Sequence, residues 1–150
     1  MIRVERILPA GRKRLITLGN EASLMDAAKL LREPGADLVV VCNADERMAG
    51  VISKTDIVRQ ISQGRESEPA TAASTVMTRT VVFCRPGDLL HDVLATMKER
   101  RVKNVPVLDQ DSRPIGLLNA RDVLEALLEE VEHEETLLRD YVMSIGHPRV

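Results

Sequence analysis

Apolar residues fall along this chain in short bursts, separated by turn-forming residues, and the bursts predict a regular order of elements. Ile2, Val4, Ile7 and Leu8 form a short packing segment that breaks at Pro9, and Gly11–Arg14 reads as a basic turn. Leu15–Leu18 predicts a strand. A helix opens at Glu21–Asp26, with Leu24, Ala27, Ala28, Leu30 and Leu31 on one face, and Pro34-Gly35 stops it. Leu38–Cys42 is a continuous β-branched run, the mark of a strand covered on both faces. Asn43–Arg47 is a turn and Met48–Ile52 a second strand. Ser53 stands where it would cap a helix running from about Thr55 to Ile61.

After a stretch rich in Gly, Ser, Glu, Pro and Ala (Gly64–Ala73), the order recurs. Val81–Cys84 predicts a strand, and Pro86-Gly87-Asp88 a turn and cap. Leu89–Arg100 predicts a helix with Leu90, Val93, Leu94 and Met97 inward. Val105–Leu108 and Ile115–Leu118 predict strands around the turn Asp109–Arg113, and a helix starts near Ala120. Laid over Leu90–Asp122 without a gap, Leu24–Asp56 keeps Leu24/Leu90, Asp26/Asp92, Glu33/Glu99, Val39/Val105, Val41/Val107, Asp45/Asp111, Arg47/Arg113, Gly50/Gly116 and Asp56/Asp122 identical, at an offset of 66 residues. Such self-similarity defines the building block. One copy is too small to bury a core alone, so the two should share one and leave two related clefts.

The second copy departs from the first at its end. Its last helix meets no stop signal before Gly146, so it runs about 25 residues at ~1.5 Å each. Leu124, Leu127, Leu128, Val131, Leu138, Tyr141 and Val142 make a broken apolar stripe along it, and the acidic run Glu129–Glu135 reads as a solvated face. The stripe needs a partner, and a second copy of the chain is the simplest one.

Composition changes this picture mainly by exclusion. The 150 residues hold 44% apolar and 29% charged side chains but only one Phe, one Tyr and no Trp, so the core is aliphatic and lacks platforms for stacking bases. The net charge of −2 and the small clusters Arg12-Lys13-Arg14 and Arg100-Arg101 argue against nucleic acid. Cys42 and Cys84 do not follow the repeat and read as free thiols in a reducing cytosol. No signal peptide or membrane span is evident, so a cytoplasmic protein with no membrane partner is expected. His91, His133 and His147 form no ligand-spaced set, and phosphate-loop glycine motifs and a nucleophile elbow are missing. Neither an enzyme nor a metal site is expected.

The segments Gly50-Val51-Ile52-Ser53-Lys54-Thr55-Asp56 and Gly116-Leu117-Leu118-Asn119-Ala120-Arg121-Asp122, the stretch Arg101–Asp109, and the linker exit Ser74-Thr75-Val76-Met77-Thr78 together resemble the CBS domain pair, or Bateman module. The closing Leu137-Leu138-Arg139-Asp140-Tyr141-Val142 is similar to the tail of small stand-alone bacterial CBS-pair proteins. The resemblance implies an α/β (α+β type) fold: tandem β-α-β-β-α repeats about a pseudo-twofold axis, here with an extended C-terminal helix. The expected division is an arm over 1–14, repeat one over 15–63, a linker over 64–74, repeat two over 75–128 and the helical extension over 129–150. It also implies homodimers and adenine nucleotides bound between repeats. One repeat contributes the turn into its first helix and the start of its middle strand, and the other a Ser/Thr-x-Ser/Thr-Asp turn.

The chemistry of that turn follows from its residues. A carboxylate in the first turn of a helix accepts hydrogen bonds only, which suits the two donors of a ribose diol. Hydroxyls and helix N-terminal amides suit phosphate oxygens. Cleft one would join Val51, Ser53, Thr55 and Asp56 to Arg85, Leu90, Val102 and Lys103, with Arg100 and Arg101 nearby for phosphates. A basic run at a helix end also serves the last carbonyls of that helix. Cleft two would join Leu117, Asn119, Arg121 and Asp122 to Gly19, Leu24, Ala36 and Asp37. Asn119 and Arg121 replace the hydroxyls there, and Asp37 stands where cleft one has Lys103, so cleft two should bind the nucleotide more weakly. The expected function is a regulatory sensor of AMP, ATP or NAD, acting through dimer conformation or on a separate regulated protein. The alternative is a structural interaction module with vestigial clefts.

Overall fold

Each half of the chain has its core closed by the segment that leads into the other half. The computed structural model describes residues 1–64 and 71–146; of the linker expected over 64–74, residues 65–70 lie outside the described residues. A 3-10 turn at Val4–Ile7 leads into α1 (Leu8–Arg14), followed by β1 (Thr17–Gly19), α2 (Leu24–Leu31), β2 (Leu38–Cys42), β3 (Met48–Ser53) and α3 (Lys54–Ser62). The second half holds α4 (Ala73–Val76), α5 (Leu90–Arg100), β4 (Asn104–Leu108), β5 (Pro114–Asn119) and α6 (Ala120–Gly146). Ala27, Leu31, Val39, Val41 and Ile52 pack with Ala73, at the end of the expected linker, and Met77, just beyond it. Val93, Met97, Val105, Val107 and Leu118 pack with Val4 and Leu8 from the N-terminus.

The first half is a three-stranded sheet in which β1 runs parallel and β3 antiparallel to β2. The second is a two-stranded antiparallel sheet, β4–β5, with the register of β2–β3. The hairpin turns repeat as well: Asn43 Oδ1 accepts from the amides of Asp45 and Arg47, and Asp109 Oδ1 from those of Asp111 and Arg113. The two turns meet, the Met48 amide donating to the Ser112 carbonyl at 2.9 Å. Local capping also agrees with the sequence. Ser23 with Asp26, and Ser53 with Asp56, form reciprocal capping boxes at the starts of α2 and α3.

Three expectations are corrected. The core expected to be shared by the two copies is two clusters, one in each half, and each is completed by a segment from outside that half. The strand expected at Val81–Cys84 is reduced to a single bridge from Cys84 to Val107. In the first half, the Val40 amide donates to the Ile16 carbonyl and the Asn20 amide to the Cys42 carbonyl, which extends the parallel ladder at both ends. Their counterparts 66 residues on are Pro106 and Pro86, which have no N–H to donate. The basic turn expected at Gly11–Arg14 is instead the end of α1, and Pro9 starts that helix rather than breaking the chain. Proline is tolerated in a first turn because the N–H it lacks has no intrahelical acceptor there.

α1 lies across β5, where Leu8 and Gly11 meet Gly116 and Leu117, and the Met77–Thr78 segment lies across β3 at Gly50. Thr78 exchanges both backbone hydrogen bonds with Val51, at 2.8 and 3.0 Å. A Cβ on Gly50 would stand 2.6 Å from the Thr78 carbonyl oxygen. Gly50→Ala should therefore cost about 1–3 kcal/mol in a urea melt, since a backbone carbonyl must move. An unchanged midpoint would mean that the segment is not seated on β3.

Cys42 and Cys84 are free thiols. Burial pushes the Cys84 thiol up to about 12 and raises that of Cys42 as well. Among the described residues no helix is long and apolar enough to cross a membrane. α6 spans 27 residues and extends past the body it packs on, leaving Leu128, Val131, Leu138 and Tyr141 exposed along it.

Candidate functional site

The β3–α3 corner brings a carboxylate, hydroxyls and backbone amides together where the two halves meet. Ser53 leaves β3 in extended conformation and caps α3, its Oγ accepting from the Asp56 amide at 3.2 Å. Asp56 Oδ2 accepts from the Ser53 amide at 2.9 Å, which aims the carboxylate out of the first helical turn. Its Oδ1 faces Arg59 of the same helix at 3.3 Å, a pair in which the arginine is 58% exposed and the aspartate 13%. A guanidinium that exposed holds the carboxylate only weakly.

This corner opens on a cavity of about 550 Å³, the size of a small-ligand site. Val51, Ser53, Thr55 and Asp56 line one side, and Val102 and Lys103, between α5 and β4, line the other. Thr78, Thr80, Val81 and Val82 complete the wall. Apolar surfaces from Val51, Val82 and Val102 thus face a polar rim that carries Lys54, Arg101 and Lys103. Arg101 ends α5 in the left-handed conformation, at φ 56°, and turns the chain into the cavity. Six of the eight residues expected in cleft one come together here.

Arg85 and Leu90 do not. The parallel bridge Cys84–Val107 sets Arg85 beside the far end of β4, where its guanidinium donates to the Asp109 carbonyl and lies 5.4 Å from the Phe83 ring centroid. Leu90 is fully buried in the core of the second half. The start of the 78–85 segment, not its end, reaches the site. Thr78 and Thr80 are the repeat counterparts of Arg12 and Arg14.

Cleft two is arranged differently. Arg14 at the end of α1 holds Asp122 with Nε to Oδ2 at 2.5 Å and Nη2 to Oδ1 at 3.0 Å. Asn119 caps α6 by accepting from the Arg121 amide at 2.9 Å, and its amide group donates to Asn104. Leu117 is buried under α1, with its backbone against Gly11. Asp37, expected in cleft two, lines the cavity of cleft one and lies 3.9 Å from Lys54, because the pairing of Leu38 with Ser53 sets it there. Gly19 ends β1, Leu24 opens α2 and Ala36 is buried before β2; none of the three joins the hydrogen bonds around Asp122.

Two repeated halves, β1-α2-β2-β3-α3 and α5-β4-β5-α6, with a cavity of about 550 Å³ where they meet, define a tandem-repeat α/β module. The CBS domain matches residues 4–63 and 73–129, and the chain belongs to that family. A CBS-domain protein of Burkholderia ambifaria, described as a putative signal-transduction protein, is 30% identical, with 85% of this chain and 94% of that one covered at a TM-score of 0.71. The CBS domain pair of protein MJ0100, solved with 5′-methylthioadenosine and S-adenosyl-L-methionine, is 22% identical over 87% of this chain and 98% of that one, with a TM-score of 0.73. CBSX2 solved with AMP is 22% identical over 86% of this chain and 98% of that one, also at 0.73. Among curated relatives the chain spans 88% of the uncharacterized protein MJ1426 of Methanocaldococcus jannaschii but 21% of a homoserine O-acetyltransferase of Methanosphaera stadtmanae.

Proposed function

We propose that this chain is a regulatory module that binds an adenosine-type ligand in cleft one and reports its occupancy through the shape or surface of a homodimer. The observation that carries the proposal is Asp56, a carboxylate aimed from a helix N-terminus into a cavity lined by both halves. A ribose diol supplies the two donors that such a carboxylate accepts. The apolar walls suit the faces of an adenine ring, and Lys103, Arg101 and the hydroxyl of Thr55 suit a phosphate. Two CBS pairs of the same fold bind AMP, or 5′-methylthioadenosine with S-adenosyl-L-methionine, which supports the adenosine reading; AMP, ATP and NAD are the candidates here. Binding shifts a conformational equilibrium only by the ligand's difference in affinity for the two states, so the output requires two dimer arrangements.

The ridge of α6, exposed among the described residues, supports the homodimer, and a second copy would cover it. It also supports the alternative, in which that ridge is the working surface and the clefts are vestigial. The regulated target is a separate protein in the first reading, and free Cys42 and Cys84 suit a cytoplasmic setting.

A thermal-shift series discriminates the two. At a hundred times Kd, AMP, ATP or NAD should raise Tm by about 5–10 °C, with guanosine monophosphate inert. Sedimentation should show a dimer whose shape changes with the active ligand. No shift with any adenosine compound, together with an unchanged dimer, favours the interaction module.

A further inference from the structure

The two clefts are related by the 66-residue repeat, yet their central carboxylates are bound differently. Asp56 in cleft one is held by its own helix cap and by an exposed arginine of its own helix. Asp122, its counterpart, gives both oxygens to Arg14, a residue 108 positions away. A planar fork on a carboxylate is a strong, charge-assisted and directional hydrogen-bonded pair.

Three further observations bear on the same point. Arg14 occupies the repeat position of Thr80, which lines cleft one, so a guanidinium stands where the other cleft has a hydroxyl. Asn119 takes over the capping role that Ser53 and Asp56 share in the first half, which frees Asp122 from its helix cap. α1, which carries Arg14, is seated with its backbone on β5, so the guanidinium is delivered by a packed helix and not by a loop. The Arg14 side chain is held charged above its ordinary range, first by its hydrogen bond to Asp122 and then by the charges of Asp122, Asp37 and Glu125.

We infer that Arg14 is a built-in occupant of cleft two: its guanidinium takes the carboxylate that would otherwise receive a ribose, so the chain binds one adenosine-type ligand and carries a second, masked nucleoside site. The inference rests on the ribose reading of the Asp56 turn. It makes Arg14 a determinant of stoichiometry.

Calorimetric titration of the full chain tests it, with AMP and the uncharged 5′-methylthioadenosine as probes. Arg14→Thr installs the residue of the equivalent position in cleft one, and Arg14→Gln keeps the aliphatic stem against the sheet should the threonine variant fail to fold. The wild type should bind one probe molecule per chain. The variants should bind two of 5′-methylthioadenosine and return to one when Asp122→Ala is added. One site in both wild type and variants overturns the inference and leaves the cleft-one proposal standing, and two sites in the wild type also overturn it. No site in the wild type but one in the variants sustains the masked site and removes the cleft-one reading. No site in any of them removes both.

Discussion

Asp56→Ala is expected to abolish tight binding of AMP, lowering affinity by about 100-fold or more. The estimate follows from losing two hydrogen bonds to a charged acceptor, each worth about 1.5–3 kcal/mol. The same substitution removes half of the capping box of α3, a cost of about 1 kcal/mol to stability. The chain should still fold, because α3 contributes no fully buried residue to the core. Circular dichroism would verify folding and calorimetry the affinity. Asp56→Asn separates the two effects, since it keeps an oxygen for the Ser53 amide but loses the charge, and it should bind with intermediate strength. Retained affinity in the alanine variant would take the ribose away from this carboxylate.

The second large effect is expected at Leu90, for the opposite reason. Sequence reasoning assigns Leu90 to cleft one; the structure buries it completely among Val93, Met97, Val105 and Val107, with Val4 and Leu8 closing the same core. Leu90→Ala should therefore cost about 2–5 kcal/mol through lost burial and the cavity left behind. Tm should fall by about 5–20 °C. The affinity for AMP, measured well below that midpoint, should stay within about twofold, because the side chain does not line the ligand cavity. Weakened binding with an unchanged Tm would restore Leu90 to the site. The pair Asp56→Ala and Leu90→Ala thus divides ligand recognition from core packing along one repeat unit.

The readings that held were local or periodic. The 66-residue offset predicts the order of elements in both halves, because each copy must present the same alternation of buried and exposed positions to a similar environment. The capping residue Ser53, the hairpin turns at Asn43 and Asp109, and the unbroken run from Ala120 to Gly146 are settled within a few residues of themselves. The six cleft-one residues brought together around the cavity lie on two such local features, the β3–α3 corner and the entry to β4. The missing parallel ladder at Val81–Cys84 was also legible in principle: Pro86 and Pro106 are visible in the chain, but their effect depends on which carbonyls they would have faced.

What the sequence by itself determined is the repeated unit, its capped helices and the carboxylate at each helix start, since burial periodicity and capping chemistry act over one to four residues. Only the tertiary structure decided that the N-terminal segment completes the second half rather than the first, that Arg85 and Leu90 turn away from the cavity, and that Arg14 reaches Asp122. Those outcomes depend on which sheet a distant segment packs against. Apolar pattern records that a segment needs burial and is silent on the surface that provides it.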